Sequence, residues 1–238
     1  MVKLLTFAHR GGRAENPENT IKAFSHALNA GTEAVESDAW LTREGEVALI
    51  HDPWFWVKGA NGNFTKTWVE NSTVKELAHY KIPTLREFYS KYSNLNKFQL
   101  SLDCKDSVVG EEALKLAKAY NRQSELWLCS DSLLTLRSLR KLSEQVNLVH
   151  SQWSFNLEFL LPVHCALLKK MNINAINFQL GEWTEDLIKT VHAAGLYAFA
   201  WDVHEDRDLE AMAAINIDAI YCDRVESIMR LRERLRKS

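Results

Sequence analysis

The stretch FAHRGGRAENPENTIKAFSHALNAGTEAVESDAWLTREGEVALIHD, residues 7–52, decides the architecture. It starts inside a short apolar run (4–8) and passes a Gly-Gly turn. It then carries apolar residues at helical spacing over 20–30 and reaches a second short apolar run at 34–39. Asn19 or Thr20 is suited to cap the helix and Gly31 to end it. Strand, helix and strand in that order form a βα unit on a parallel sheet.

Outward from this unit the alternation continues. Further strands are expected at 98–102, 126–129, 148–151, 175–178, 197–203 and 219–222. Helical patterns lie at 84–93, 111–121, 133–143, 157–171, 184–194, 206–215 and 225–236. Eight such strands predict an α/β fold, a closed (β/α)8 TIM barrel, and 238 residues suit one barrel. One connection departs from the pattern. TREGEVALIHD reads as a turn at Glu44-Gly45 followed by a return strand at 47–50, and residues 53–83 read as an irregular, lid-like insertion. The expected organisation is a single domain over 1–238 with a small insertion, 53–83, after the second strand.

Composition narrows the function classes. Twenty-nine basic and 31 acidic residues leave a net charge of −2, which gives no global attraction to nucleic acid or an anionic membrane. Cys104, Cys129, Cys165 and Cys222 form no C-x-x-C and read as reduced core thiols. The opening MVKLLTFAHR reads as a strand rather than an export signal, so a cytoplasmic location is expected. The most apolar run, FLLPVHCALL at 159–168, is too short to span a bilayer, so no stable membrane insertion is expected. The basic ending RVESIMRLRERLRKS reads as a solvated last helix. Oligomeric state is not readable.

In such a barrel the carboxyl ends of the strands converge on one mouth. His9 and Arg10 end the first strand, Glu36 and Asp38 the second, His51 and Asp52 the return strand, Asp103 and Lys105 the third. Glu36 and Asp38 stand two apart, so they point to one side, and Asp103 comes from the neighbouring strand. Three hard oxygen donors without a thiolate favour Mg2+ or Ca2+, the competing reading being salt bridges to Arg10 or Lys105. Phosphodiester hydrolysis needs cations on the non-bridging oxygens and a proton donor for the leaving alkoxide. Arg10 and Lys105 suit the first need; His9 and His51 suit general acid and base. The other six histidines, His204 among them, read as surface or satisfied core residues. Asn19, Gln152 and Gln179 fall near the rim as weaker candidates for substrate hydroxyls. Trp54, Phe55 and Trp56 read first as packing for the insertion, with an acyl-chain grip as the second reading.

These residues also carry a resemblance. The HRG, ENT, E-x-D and HD elements, followed by KIPTLREF, LSLDCK, AFAWDV and IDAIYCDR, resemble the glycerophosphodiester phosphodiesterase family over nearly the whole chain. The resemblance implies metal-dependent hydrolysis of glycerophosphodiesters to glycerol 3-phosphate and an alcohol. It implies His9 and His51 as the acid/base pair, and Arg10 and Lys105 at the phosphate. It further implies Trp201 on the glycerol side and Glu36, Asp38 and Asp103 as metal carboxylates. A lysophospholipase D acting on lysophospholipids is the alternative within the family, and a catalytically silent phosphate-ester binder the alternative outside it. Asp103 stands where the family more often has Glu; PWFWVKGANG after His51-Asp52 and CDRVES near the end also depart from its pattern.

Overall fold

The computed structural model describes residues 4–95, 97–153 and 157–237, with the side chains of 157–159 excepted. The opening residues Met1 to Lys3 and the final Ser238, both covered by readings above, lie outside the described residues. Eight parallel strands close the barrel: β1 (Leu5–Ala8), β2 (Ala34–Leu41), β6 (Gln99–Cys104), β7 (Leu126–Ser130), β8 (Asn147–Ser151), β9 (Ala175–Gln179), β10 (Tyr197–Trp201) and β11 (Ala219–Cys222). Each pairs with the next, and β1 pairs with both β11 and β2, which closes the ring.

Helices α1 (Ile21–Ala30), α3 (Leu85–Tyr92), α4 (Ser107–Ala119), α5 (Leu133–Leu142), α6 (Leu157–Lys170), α7 (Glu185–Ala193), α8 (Asp206–Ala214) and α9 (Val225–Lys237) form the outer layer. The expected caps hold at α1, where Thr20 accepts from the Ala23 amide and Gly31 ends the helix at φ 98°. The start of α4 differs from the expected 111, because Asp106 accepts from the Val109 amide and caps the helix four residues earlier. Strand β10 ends at Trp201 rather than 203, where Asp202 turns into left-handed backbone at φ 67°.

Two apolar regions follow from the period-two alternation of the strands. Side chains facing outward pack under the helices in the large core. Those facing inward fill the barrel with Phe7, Ala34, Trp127, Cys129, Val149, Ala175, Phe199, Ala219 and Tyr221. Phe7 stacks on Tyr221 at 4.9 Å between ring centroids, so the centre of the barrel is packed rather than open. All four cysteines are free and buried.

The insertion is not irregular. It contains a hairpin, β4 (Trp54–Lys58) with β5 (Phe64–Trp68), then a short helix α2 (Val74–His79). Thr73 and Glu76 form a capping box at that helix, and Phe55, Val69 and Leu77 pack a satellite core with Ala48. The return strand β3 (Val47–Leu49) pairs antiparallel with β2.

Candidate active site

Following each inward row to the carboxyl rim shows how the site is built. On β2 the row runs Ala34, Glu36, Asp38; on β6 it runs Gln99, Ser101, Asp103; on β11 it runs Ala219, Tyr221, Asp223. Strands β2 and β6 are in register with Asp38 opposite Asp103. Asp38 and Asp103 therefore stand side by side at the rim, with Glu36 one inward step below, beside Ser101.

β1 stops early and makes room. It pairs with β2 only at Ala34 and Val35, so the chain leaves the sheet at His9, level with Glu36. The turn that follows holds Arg10 in left-handed backbone at φ 50°, its amide donating to Glu36 Oε2 at 2.8 Å. Gly11 and Gly12 continue it at φ 78° and 89°. A Cβ on Gly11 would lie 2.8 Å from Ala23 Cβ, and one on Gly12 would lie 2.5 Å from Val225 Cγ2. β3 then takes the edge of β2 that β1 has vacated. The Ile50 amide donates to the Asp38 carbonyl at 3.0 Å, and the Trp40 indole donates to the His51 carbonyl at 3.0 Å, which carries His51 to the same rim.

The electrostatics centre on His9. Its Nδ1 lies 2.6 Å from Asp223 Oδ1, while Nε2 lies 3.7 Å from Glu36 Oε2. Burial opposes a charged imidazole, but Glu36 and Asp223 outweigh it and raise the His9 pKa. Burial works against the Asp223 carboxylate too, yet hydrogen bonds from His9 and Arg13 bring it down to about 2. Glu36 is raised, chiefly by burial and further by Asp38, with His9 opposing. Asp103 is raised by burial, against Lys105. Arg10 Nε lies 3.3 Å from Asp38 Oδ2, and Arg10 Nη1 donates to Glu18 at 3.0 Å. Lys105 bonds Asp103 and approaches Asp38 at 3.5 Å. The salt bridges weighed against a metal site are thus present.

His51 is more open than His9, with Nδ1 at 2.9 Å from Asp52 Oδ1. Across the mouth, Trp201 meets Trp153 edge-on at 4.9 Å, and Gln179 donates to Asp202 at 3.0 Å. Asn19 donates to Asp38 at 3.3 Å and accepts from Ser37, so it braces the carboxylate. The Gln152 Oε1 atom is buried without a hydrogen-bond partner among the described residues. A cavity of about 610 Å³ opens beside Glu18, Asn19 and Asp52 and runs under Trp54, Phe55, Trp56 and Tyr80. A second cavity of about 600 Å³ lies at the opposite, amino-terminal pole around Leu5, Gln99 and Trp127, away from these groups.

The family description "Glycerophosphoryl diester phosphodiesterase family" matches residues 9–227, which span every charged group named above. The chain belongs to that family. As a member of the glycerophosphoryl diester phosphodiesterase family it is an enzyme, a phosphoric diester hydrolase. A glycerophosphodiester phosphodiesterase of Caldanaerobacter subterraneus subsp. tengcongensis is 26% identical, the match covering 97% of this chain and 98% of that one. A human lysophospholipase D is 28% identical over 49% of this chain and 41% of its own length. A phosphodiesterase of Oleispira antarctica, solved in complex with the product sn-glycerol-3-phosphate, superposes with TM-score 0.79 at 18% identity, covering 96% of each chain.

Two residues of this phosphodiesterase escaped the sequence reading. The strand expected at 219–222 stops one residue short of Asp223, and carrying the inward row from Ala219 through Tyr221 one step further reaches it. His204, grouped with the unremarkable histidines, lies 2.7 Å from Asp202 and takes the Asp223 amide on Nδ1 at 3.3 Å, its ring 6.5 Å from that of His9. Its sequence signal was its place directly after the strand expected at 197–203.

As placed, no group of three or more His, Cys, Asp and Glu side chains among the described residues forms a ready metal cage. The donor chemistry nevertheless fits a hard dication. Asp38 and Asp103 stand at one level with Glu36 one inward step below, and Asp38 adds to burial in raising both Glu36 and Asp103, while Lys105 opposes the rise at Asp103.

Proposed function

We infer that the enzyme hydrolyses glycerophosphodiesters to glycerol 3-phosphate and an alcohol, with His9 and His51 as the acid/base pair. The observation that carries this reading is the clamp on His9, between Glu36 and Asp223 at the rim of the barrel. With Nδ1 protonated, Asp223 accepts its hydrogen bond and fixes the ring, which leaves Nε2, beside Glu36, for proton transfer. One imidazole removes a proton from the attacking water or substrate hydroxyl. The other gives a proton to the alcohol oxygen as its bond to phosphorus breaks. Substrate orientation decides which histidine does which, and one water is consumed overall.

Arg10 and Lys105 supply positive charge for the non-bridging oxygens. Glu36, Asp38 and Asp103 would hold a divalent cation, Mg2+ or Ca2+, which polarises the phosphoryl group when bound. Taking it up requires Lys105 to turn from Asp103 toward the substrate. Trp201, with the unpaired Gln152 Oε1 on the same side of the mouth, suits the glycerol end.

The Oleispira antarctica relative, solved with sn-glycerol-3-phosphate, supports that product. Incubation with glycerophosphocholine and Mg2+ or Ca2+ is expected to release glycerol 3-phosphate; no release with either ion refutes the reading. A second reading, lysophospholipase D, is favoured by the aromatic cavity under Trp54 and Trp56 and by the human relative of that name. Faster turnover of lysophosphatidylcholine than of glycerophosphocholine would select it.

A further inference from the structure

The register of the β4–β5 hairpin sets Trp54 opposite Trp68, Trp56 opposite Lys66, and Lys58 opposite Phe64. Side chains directly opposite one another project to the same side, so these six share one face. Phe55 and Val57 point the other way and pack in the satellite core of the insertion. The outward face is the more apolar of the two. Trp56, Phe64 and Trp68 are 53%, 63% and 43% exposed, the reverse of the polar-out alternation of a sheet that borders water. The Lys66 ammonium lies 4.0 Å from the Trp54 ring centroid and 5.1 Å from that of Trp68, and no carboxylate is among the six.

We propose that this face is a docking surface for the anionic phospholipid surface of a bilayer. Tryptophan rings settle at the headgroup level, where an apolar body and a polar N–H are both satisfied, and lysines among them meet lipid phosphates. Charge complementarity selects this occupant over a second copy of the chain. A two-fold pairing would bury Lys58 and Lys66 of both copies in an interface where the face brings no carboxylate to pair them. The face is continuous with the cavity beside the catalytic rim, since Trp54 and Trp56 belong to both. Docking therefore sets that cavity's mouth against the lipid. It requires no spanning segment, and none of the described helices is long and apolar enough to cross a membrane. The proposal goes beyond the inferred hydrolysis and does not depend on it, because binding is read without turnover.

The test is flotation of the full chain with vesicles of phosphatidylcholine alone or mixed with phosphatidylglycerol, at low and high salt. Binding is expected to rise with phosphatidylglycerol, to fall with salt, and to shift tryptophan emission to the blue. Replacing Trp56→Ser and Phe64→Ser together is expected to weaken partitioning by at least about tenfold. Lys66→Gln alone is expected to weaken it about fivefold. Leu134→Ser, at an apolar side chain 77% exposed on α5, should leave it unchanged. If the double variant does not keep the wild-type melting temperature, Lys66→Gln and the salt series decide. No flotation with phosphatidylglycerol, or flotation indifferent to salt and to these variants, overturns the proposal. So does a hairpin-dependent dimer that forms without lipid and does not bind vesicles.

Discussion

The two halves of the barrel mouth are built from the same repeating unit and end in opposite chemistry. Strands β11, β1, β2 and β6 deliver Asp223, His9, Glu36, Asp38 and Asp103, already held by ion pairs with Arg10, Arg13 and Lys105. Strands β8 to β10 deliver mainly neutral groups, Gln152, Asn177, Gln179 and Trp201, with Asp202 just past β10 already bonded to Gln179 and His204. Two of them, Gln152 and Asn177, keep a buried oxygen without a hydrogen-bond partner among the described residues. On the proposed function, the difference separates two tasks. A half with its charges fixed in place is organised in advance for a phosphoryl group. A half with unmatched neutral acceptors is organised for hydroxyls, which bring their own donors.

The largest effect expected on the charged half is that of removing the proposed divalent cation. Chelation is expected to lower turnover of glycerophosphocholine by at least about 10³-fold, with recovery on adding Mg2+ or Ca2+. Asp223→Asn comes next. Losing the group that orients a working histidine is expected to lower kcat by on the order of 10- to 100-fold. Asp223 also raises the His9 pKa, so its removal should move the limb of the pH–rate profile that reports His9 to lower pH. An unmoved profile would detach Asp223 from His9. On the neutral side, Trp201→Ala should raise KM about tenfold with little change in kcat, because it removes contact made equally in ground and transition states. A fall in kcat alone would put Trp201 on the charged side of the division.

The smallest effect is on stability. Asp223 titrates at about 2 in the folded chain against an ordinary 3.8, so its contribution is present above about pH 4 and is lost as pH falls toward 2. That contribution is on the order of 2 kcal/mol. Denaturant midpoints between pH 5 and 2 should therefore fall more steeply for the wild type than for Asp223→Asn.

The barrel was legible because its eight buried strands and the helices between them differ in period, and 2.0 is easily told from 3.6. The charged half was legible at His9, Glu36, Asp38 and Asp103, each at or beside the end of an apolar run. The insertion was not, because β4, WFWVK, is apolar on both faces and so lacks the alternation that marks a half-buried strand. The partner of His9 was hidden for another reason. Asp223 lies 214 residues away in sequence, and only closure of β11 onto β1 makes them neighbours.

The central claim is that the charged half breaks the ester bond through a proton carried by His9. Glycerol 3-phosphate release from glycerophosphocholine, measured at saturating substrate with His9→Ala beside the wild type, tests it most directly. A fall in kcat of roughly 10²- to 10⁴-fold is predicted for a histidine that transfers a proton. Wild-type kcat in a variant that keeps its fold would contradict the account.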